Sequence, residues 1–105
     1  MELKIYWTDF SKKELQNIFE YYKKNVSLKV AKSLIIGIAK ETLKLKNQPE
    51  IGQMEELLIN RPNEFRYLVY KNYKVIYWIN KNEKRIEITD VFDCRQNPIT
   101  IERTE

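Results

Sequence analysis

After two helical stripes the apolar period of this chain switches in the stretch around Pro62, and that switch constrains its fold more than any other feature. Before it, large apolar residues recur every three to four positions, as on one buried face of a helix. After it they alternate, as on a pleated sheet. Leu15, Ile18, Phe19 and Tyr22 make a first helical stripe, and Ala31, Leu34, Ile35, Ile38, Thr42 and Leu45 a second. Asn25, Val26 and Ser27 interrupt them, so the spacing predicts two helices with a very short connection, packed as an antiparallel hairpin. Ser11 and Glu14 stand at capping-box spacing, with Phe10 placed to staple onto Leu15.

Leu3 to Trp7 reads as a short strand ahead of the helices. Asn47, Gln48, Pro49 and Gly52 close the second helix, and Met54 to Pro62 reads as a loop. Phe65 to Tyr70, Tyr73 to Ile79 and Arg85 to Phe92 are rich in aromatic and β-branched residues and form a three-stranded meander. Lys71-Asn72 and Asn80 to Lys84 are its turns. The order β-α-α-β-β-β predicts an α+β fold, an antiparallel sheet with an N-terminal helical hairpin packed on one face.

A length of 105 residues allows one core, so residues 1–105 are expected to form a single domain. No run approaches the length of a membrane span, and Met1-Glu2-Leu3-Lys4 lacks the apolar core of a signal peptide. The expected compartment is the cytoplasm, with no membrane partner. A lone cysteine excludes an internal disulfide framework and a multi-thiolate metal site, and the absence of histidine removes the commonest metal ligand and acid-base group. Neither metal nor cofactor is expected. Cys94 reads as a small buried filler, and Tyr70, Tyr73 and Tyr77 as core.

Charge is unevenly placed. Residues 1–48 carry ten lysines and five acids, a net of +5, whereas residues 49–105 carry nine basic and ten acidic residues, a net of −1. All five arginines lie in that second part. Arg presents a fixed fork of donors to phosphate or carboxylate, so the specific contacts are expected there.

The helical hairpin ending in Leu45 to Gly52, the strand start Phe65-Arg66, the run Asn72 to Tyr77 and the closing Val91-Phe92-Asp93-Cys94-Arg95-Gln96-Asn97-Pro98 together resemble the RelE/ParE toxin superfamily, in order and spacing, over nearly the whole chain. The resemblance implies the toxin of a type II toxin-antitoxin pair, neutralised by a cognate antitoxin. It implies growth arrest by one of two routes, ribosome-dependent mRNA cleavage or inhibition of DNA gyrase. A third reading is a non-toxic, decayed member that only binds its antitoxin. By the same resemblance Lys74, Arg95 and Arg66 are the candidate catalytic or target-contacting residues, as cations for a phosphate or an acidic patch.

A register argument separates these cations. If Lys71-Asn72 is a two-residue turn, Tyr70 pairs with Tyr73 and Val69 with Lys74. Phe65, Tyr67, Val69, Lys74, Ile76 and Trp78 then share one face, with Arg66 on the other. A longer or bulged turn would return Arg66 to Lys74. Where RNA-cutting relatives carry further basic residues this chain has Tyr67 and Val69, and after Pro98 it reads Ile99-Thr100-Ile101-Glu102 without Tyr or His. An endonuclease on this sequence would therefore have an incomplete acid-base set. Ordinary roles are the alternative: Arg66 as a strand-end residue lying over Tyr77, Lys74 as a solvated side chain, Arg95 paired with Asp93 or Asp90, and Glu55-Glu56 as exposed loop acids.

Overall fold

A computed structural model describes residues 3–103; Met1 and Glu2, read above for the lack of a signal core, lie outside the described residues. Strand β1, Lys4–Trp7, leads into helices α1, Asp9–Asn25, and α2, Leu28–Leu43. Thr8 caps α1, its hydroxyl accepting from the Ser11 N–H at 3.1 Å. Ser11 is not the cap that its spacing to Glu14 suggested. It is buried inside the first turn and donates its own hydroxyl to the Thr8 carbonyl at 2.9 Å. Ser27 caps α2 by accepting from the Val30 N–H, so Val26 and Ser27 alone separate the helices.

Of the predicted apolar stripe of α2, Ala31, Leu34, Ile38 and Thr42 are buried, with Leu45 just beyond in a 3-10 turn, while Ile35 is only half-buried. The segment after it is more than a loop. It holds a two-residue strand β2, Gln53–Met54, and a 3-10 turn, Glu56–Leu58. Strands β3, Arg66–Tyr70, β4, Tyr73–Asn80, and β5, Arg85–Asp93, form the expected meander. A last 3-10 segment, Pro98–Arg103, follows.

The sheet order is β1-β5-β4-β3-β2. All neighbours run antiparallel except β1, which lies parallel to β5 with Lys4 opposite Arg85. A chain that must cross back over one sheet face through two helices can return to the far edge in that direction. The β3–β4 hairpin has the register expected of a two-residue turn, with Tyr70 opposite Tyr73 and Val69 opposite Lys74. Lys71 takes a left-handed φ of 54° there.

Between β4 and β5 the register slips: Ile76 faces Asp90, but Tyr77 faces Ile88. Thr89 is the extra residue of a β-bulge. The bulge keeps Ile86, Ile88 and Val91 all on the helix side while Phe92 turns to the other face. Two apolar cores result. One, under the helices, joins Leu34, Ile38 and Leu45 to Tyr73, Val75, Tyr77 and the β5 residues. The other closes the opposite face, where Leu58 and Ile101 from the 3-10 segments cover Phe65, Ile76 and Phe92.

Candidate functional site

Lys74, Arg66 and Arg95 do not converge. Lys74 emerges from β4 on the face away from the helices and meets Glu55, its Nζ 2.8 Å from the carboxylate. Glu55 is only 4 % exposed, so it is not the solvated loop acid its neighbour Glu56 suggested. It also accepts the Leu57 N–H at 3.3 Å. The Lys74 ammonium stands 4.3 Å over the Tyr67 ring, whose hydroxyl donates to Gln53 at 3.0 Å. Lys74 is thus neither an ordinary solvated lysine nor a free cation; a partly buried pair neutralises it.

Arg66 lies on the other face, as the two-residue turn required, opposite Tyr77. Its Nη1 donates to the Gly52 carbonyl at 3.0 Å and the Glu50 carbonyl at 3.3 Å, and Nη2 to Glu64 at 3.0 Å. The Tyr77 hydroxyl completes this knot, donating to the Pro49 carbonyl at 2.8 Å and accepting the Gly52 N–H at 3.0 Å. Burial pushes that phenol's pKa up. Position 52 must be glycine, since a Cβ would stand 2.4 Å from the Tyr77 oxygen and 2.8 Å from the Tyr67 carbonyl. Arg66 ties the segment after α2 to the sheet.

Arg95 follows β5 and grips Asp93 through both carboxylate oxygens, at 3.0 Å from Nε and 2.8 Å from Nη2. Asp93 accepts in addition the Arg95 N–H and the Asn72 amide. The Arg95 guanidinium, opposed by burial and helped by these further donors, holds the Asp93 carboxyl down at about 2. The same pair raises the guanidinium's own pKa. The Arg95 side chain is nevertheless 63 % exposed. It lines a cleft of about 330 Å³ between α1 and the end of β5, with Tyr21, Tyr73, Glu14 and Arg103. The Asp93 pair, one of the two ordinary partners read for Arg95, is present, and the guanidinium at the sheet's rim still faces solvent.

Sequence reasoning missed Arg103. It donates to both oxygens of Asp90 at 3.0 Å and to Glu14 at 3.3 Å, and lies over the rings of Phe10 and Phe92. Asp90 is fully buried, and a carboxylate among strand residues as apolar as Ile88, Val91 and Phe92 was the signal that some cation must reach it. Cys94, expected to be buried, is exposed. Tyr73 and Tyr77 are core residues as expected, and Tyr70 packs at the core's margin. Among the described residues no group of three or more acidic or cysteine side chains could hold a metal ion. No helix among them is long and apolar enough to cross a membrane.

A helical hairpin on one face of a mostly antiparallel five-stranded sheet defines the fold class, the α+β architecture of the RelE/ParE superfamily. Residues 5–98 match the family described as the ParE toxin of type II toxin-antitoxin system, parDE, and the chain belongs to that family. Among solved structures it resembles a chain of the chromosomal ParDE system from P. aeruginosa, with a TM-score of 0.72 at 16% identity, covering 88% of this chain and 96% of that one. It also resembles a mutant of the E. coli toxin RelE in the free state, with a TM-score of 0.55 at 11% identity and 98% of each chain covered. These two likenesses concern the fold. No curated protein matches the sequence significantly.

Proposed function

We propose that this chain is a cytoplasmic toxin that arrests growth by binding DNA gyrase rather than by cutting mRNA, and that a cognate protein antitoxin holds it inactive. The observation that carries the choice of target is the state of the sheet face away from the helices. A nuclease acting on a 2′-hydroxyl needs a base, an acid and cations gathered at one phosphate. Here that face is filled by Leu58, Phe65, Ile76, Phe92 and Ile101, and its cation Lys74 is already matched by Glu55. Arg66 is occupied in holding backbone carbonyls on the opposite face. Of the three candidate cations Arg95 alone keeps a mostly exposed side chain; Asp93 already takes its Nε and Nη2, so it would meet an acidic protein surface as a held, rim-exposed charge. The ParE family match points the same way.

The test is a paired assay after induction. Purified protein is titrated into gyrase-catalysed supercoiling of relaxed plasmid, and cellular mRNA is mapped by primer extension. Loss of supercoiling with intact messages is expected. Codon-phased cleavage of ribosome-bound mRNA with normal supercoiling would reverse the assignment.

A further inference from the structure

A shallow cavity of about 540 Å³ opens between the two helices and the end of β1. Its walls are apolar: Trp7, Leu15, Phe19, Ile35 and Ala39, each of them half-buried. Lys12, Gln16 and Glu20 of α1 stand along it, and Asp9 and Lys23 continue their row towards the two ends of the helix. At about 100° per helical residue these five lie within an arc of roughly 80°, a single stripe. All five are exposed. Among the described residues none of the four charged members has an ion-pair partner. Counted outward from Gln16, the stripe is a palindrome of opposite signs: Lys12 and Glu20 stand four residues away on either side, and Asp9 and Lys23 seven.

A stripe of this kind is complementary to itself when reversed, which is what the contact of a twofold dimer requires. We propose that the protein self-associates through α1, two copies of the helix lying antiparallel about a twofold axis at Gln16. Lys12 of each copy then meets Glu20 of the other, Asp9 meets Lys23, and the Gln16 amides pair on the axis. The same axis keeps both α2 helices on one side of the contact, so the apolar walls of the two cavities face one another. A phosphate backbone would meet Asp9 and Glu20 as like charges, and a small apolar ligand would leave the charge symmetry without a partner. Glu14, Asn17 and Tyr21, which line the Arg95 cleft, stand on the other flank of α1, so the dimer leaves that cleft open and is independent of the target proposed above. With 17 residues α1 is about 26 Å long. One helix pair of that length lies at the small end of specific interfaces, so association in the micromolar range is expected.

The test is sedimentation equilibrium of the purified chain from the low micromolar to the millimolar range. Wild type should pass from monomer to dimer, and less readily in high salt, because the ion pairs stay near solvent. Lys12→Glu and Glu20→Lys each place like charges opposite one another twice, and each should weaken self-association on the order of 100-fold. Mixing the two single variants makes every one of those contacts complementary again, and so does the double exchange Lys12→Glu/Glu20→Lys. Both should associate within about tenfold of wild type, and Lys81→Glu, the same charge change in the β4–β5 turn, within about threefold. Melting curves establish that each variant is folded, and recovery on mixing shows in addition that neither single variant fails through its fold. A wild-type chain that stays monomeric throughout the range would overturn the proposal. A dimer indifferent to the single variants, or one that mixing does not restore, forms through another face and would overturn it equally.

Discussion

Arg95 is held by Asp93 and still faces solvent, so its structural and functional roles separate cleanly in measurement. An exposed pair of this kind contributes at most about 1 kcal/mol. Arg95→Ala should therefore leave the melting temperature nearly unchanged, and growth arrest at matched expression should be lost if the guanidinium contacts the target. The partner carboxyl provides a second readout. Asp93 sits at about 2 in the folded protein against an ordinary 3.8. Its contribution is complete above the ordinary value and disappears as pH falls from about 4 towards 2. Thermal melts across that window should show a loss of stability that Asp93→Asn lacks. NMR titration of Arg95→Ala should find the Asp93 carboxyl moved back up, though not fully, because the Arg95 N–H and Asn72 still donate to it.

Both helices begin on a hydroxyl cap, Thr8 and Ser27, whose removal leaves an N–H of the first turn unsatisfied. Thr8→Ala and Ser27→Ala should each cost about 1 kcal/mol in urea denaturation. Ser11→Ala should cost no more than loss of its bond to the Thr8 carbonyl. The order would be reversed if Ser11 were the cap. That position shows where sequence reading ran out, for Thr8 and Ser11 are both cap-forming types three residues apart and the periodicity of α1 begins too late to choose. The hairpin, the α2 stripe and the β3–β4 register were legible because each is a local repeat or a turn of fixed length. Less was visible where pairing is distant. Nothing near Lys4 announces a parallel partner at Arg85, a two-residue strand such as Gln53–Met54 has no period, and the Thr89 bulge shows only as a skipped beat between Ile88 and Val91. Among the site residues, the separation of Arg66 from Lys74 was legible. The partners Glu55 and Arg103 were not, since each arrives from another part of the chain.

At the scale of the molecule, Arg103 fastens the last 3-10 segment to α1 and to the buried Asp90 at once. Removing one member of such a pair leaves an uncompensated buried charge. Arg103→Ala should destabilise by about 3–5 kcal/mol in urea, far more than Arg95→Ala, and the gap between the two is the measurement that separates clip from rim. The parallel pairing of β1 with β5 has a consequence in time. On a translating ribosome the first strand emerges early, yet its partner follows about 80 residues later, which at about 5–20 residues per second is several seconds of synthesis. Until then β1 has no edge to join, and the helices have only part of a sheet to lie on. A nascent chain therefore lacks the closed sheet, and every surface built on it, until β5 has cleared the exit tunnel.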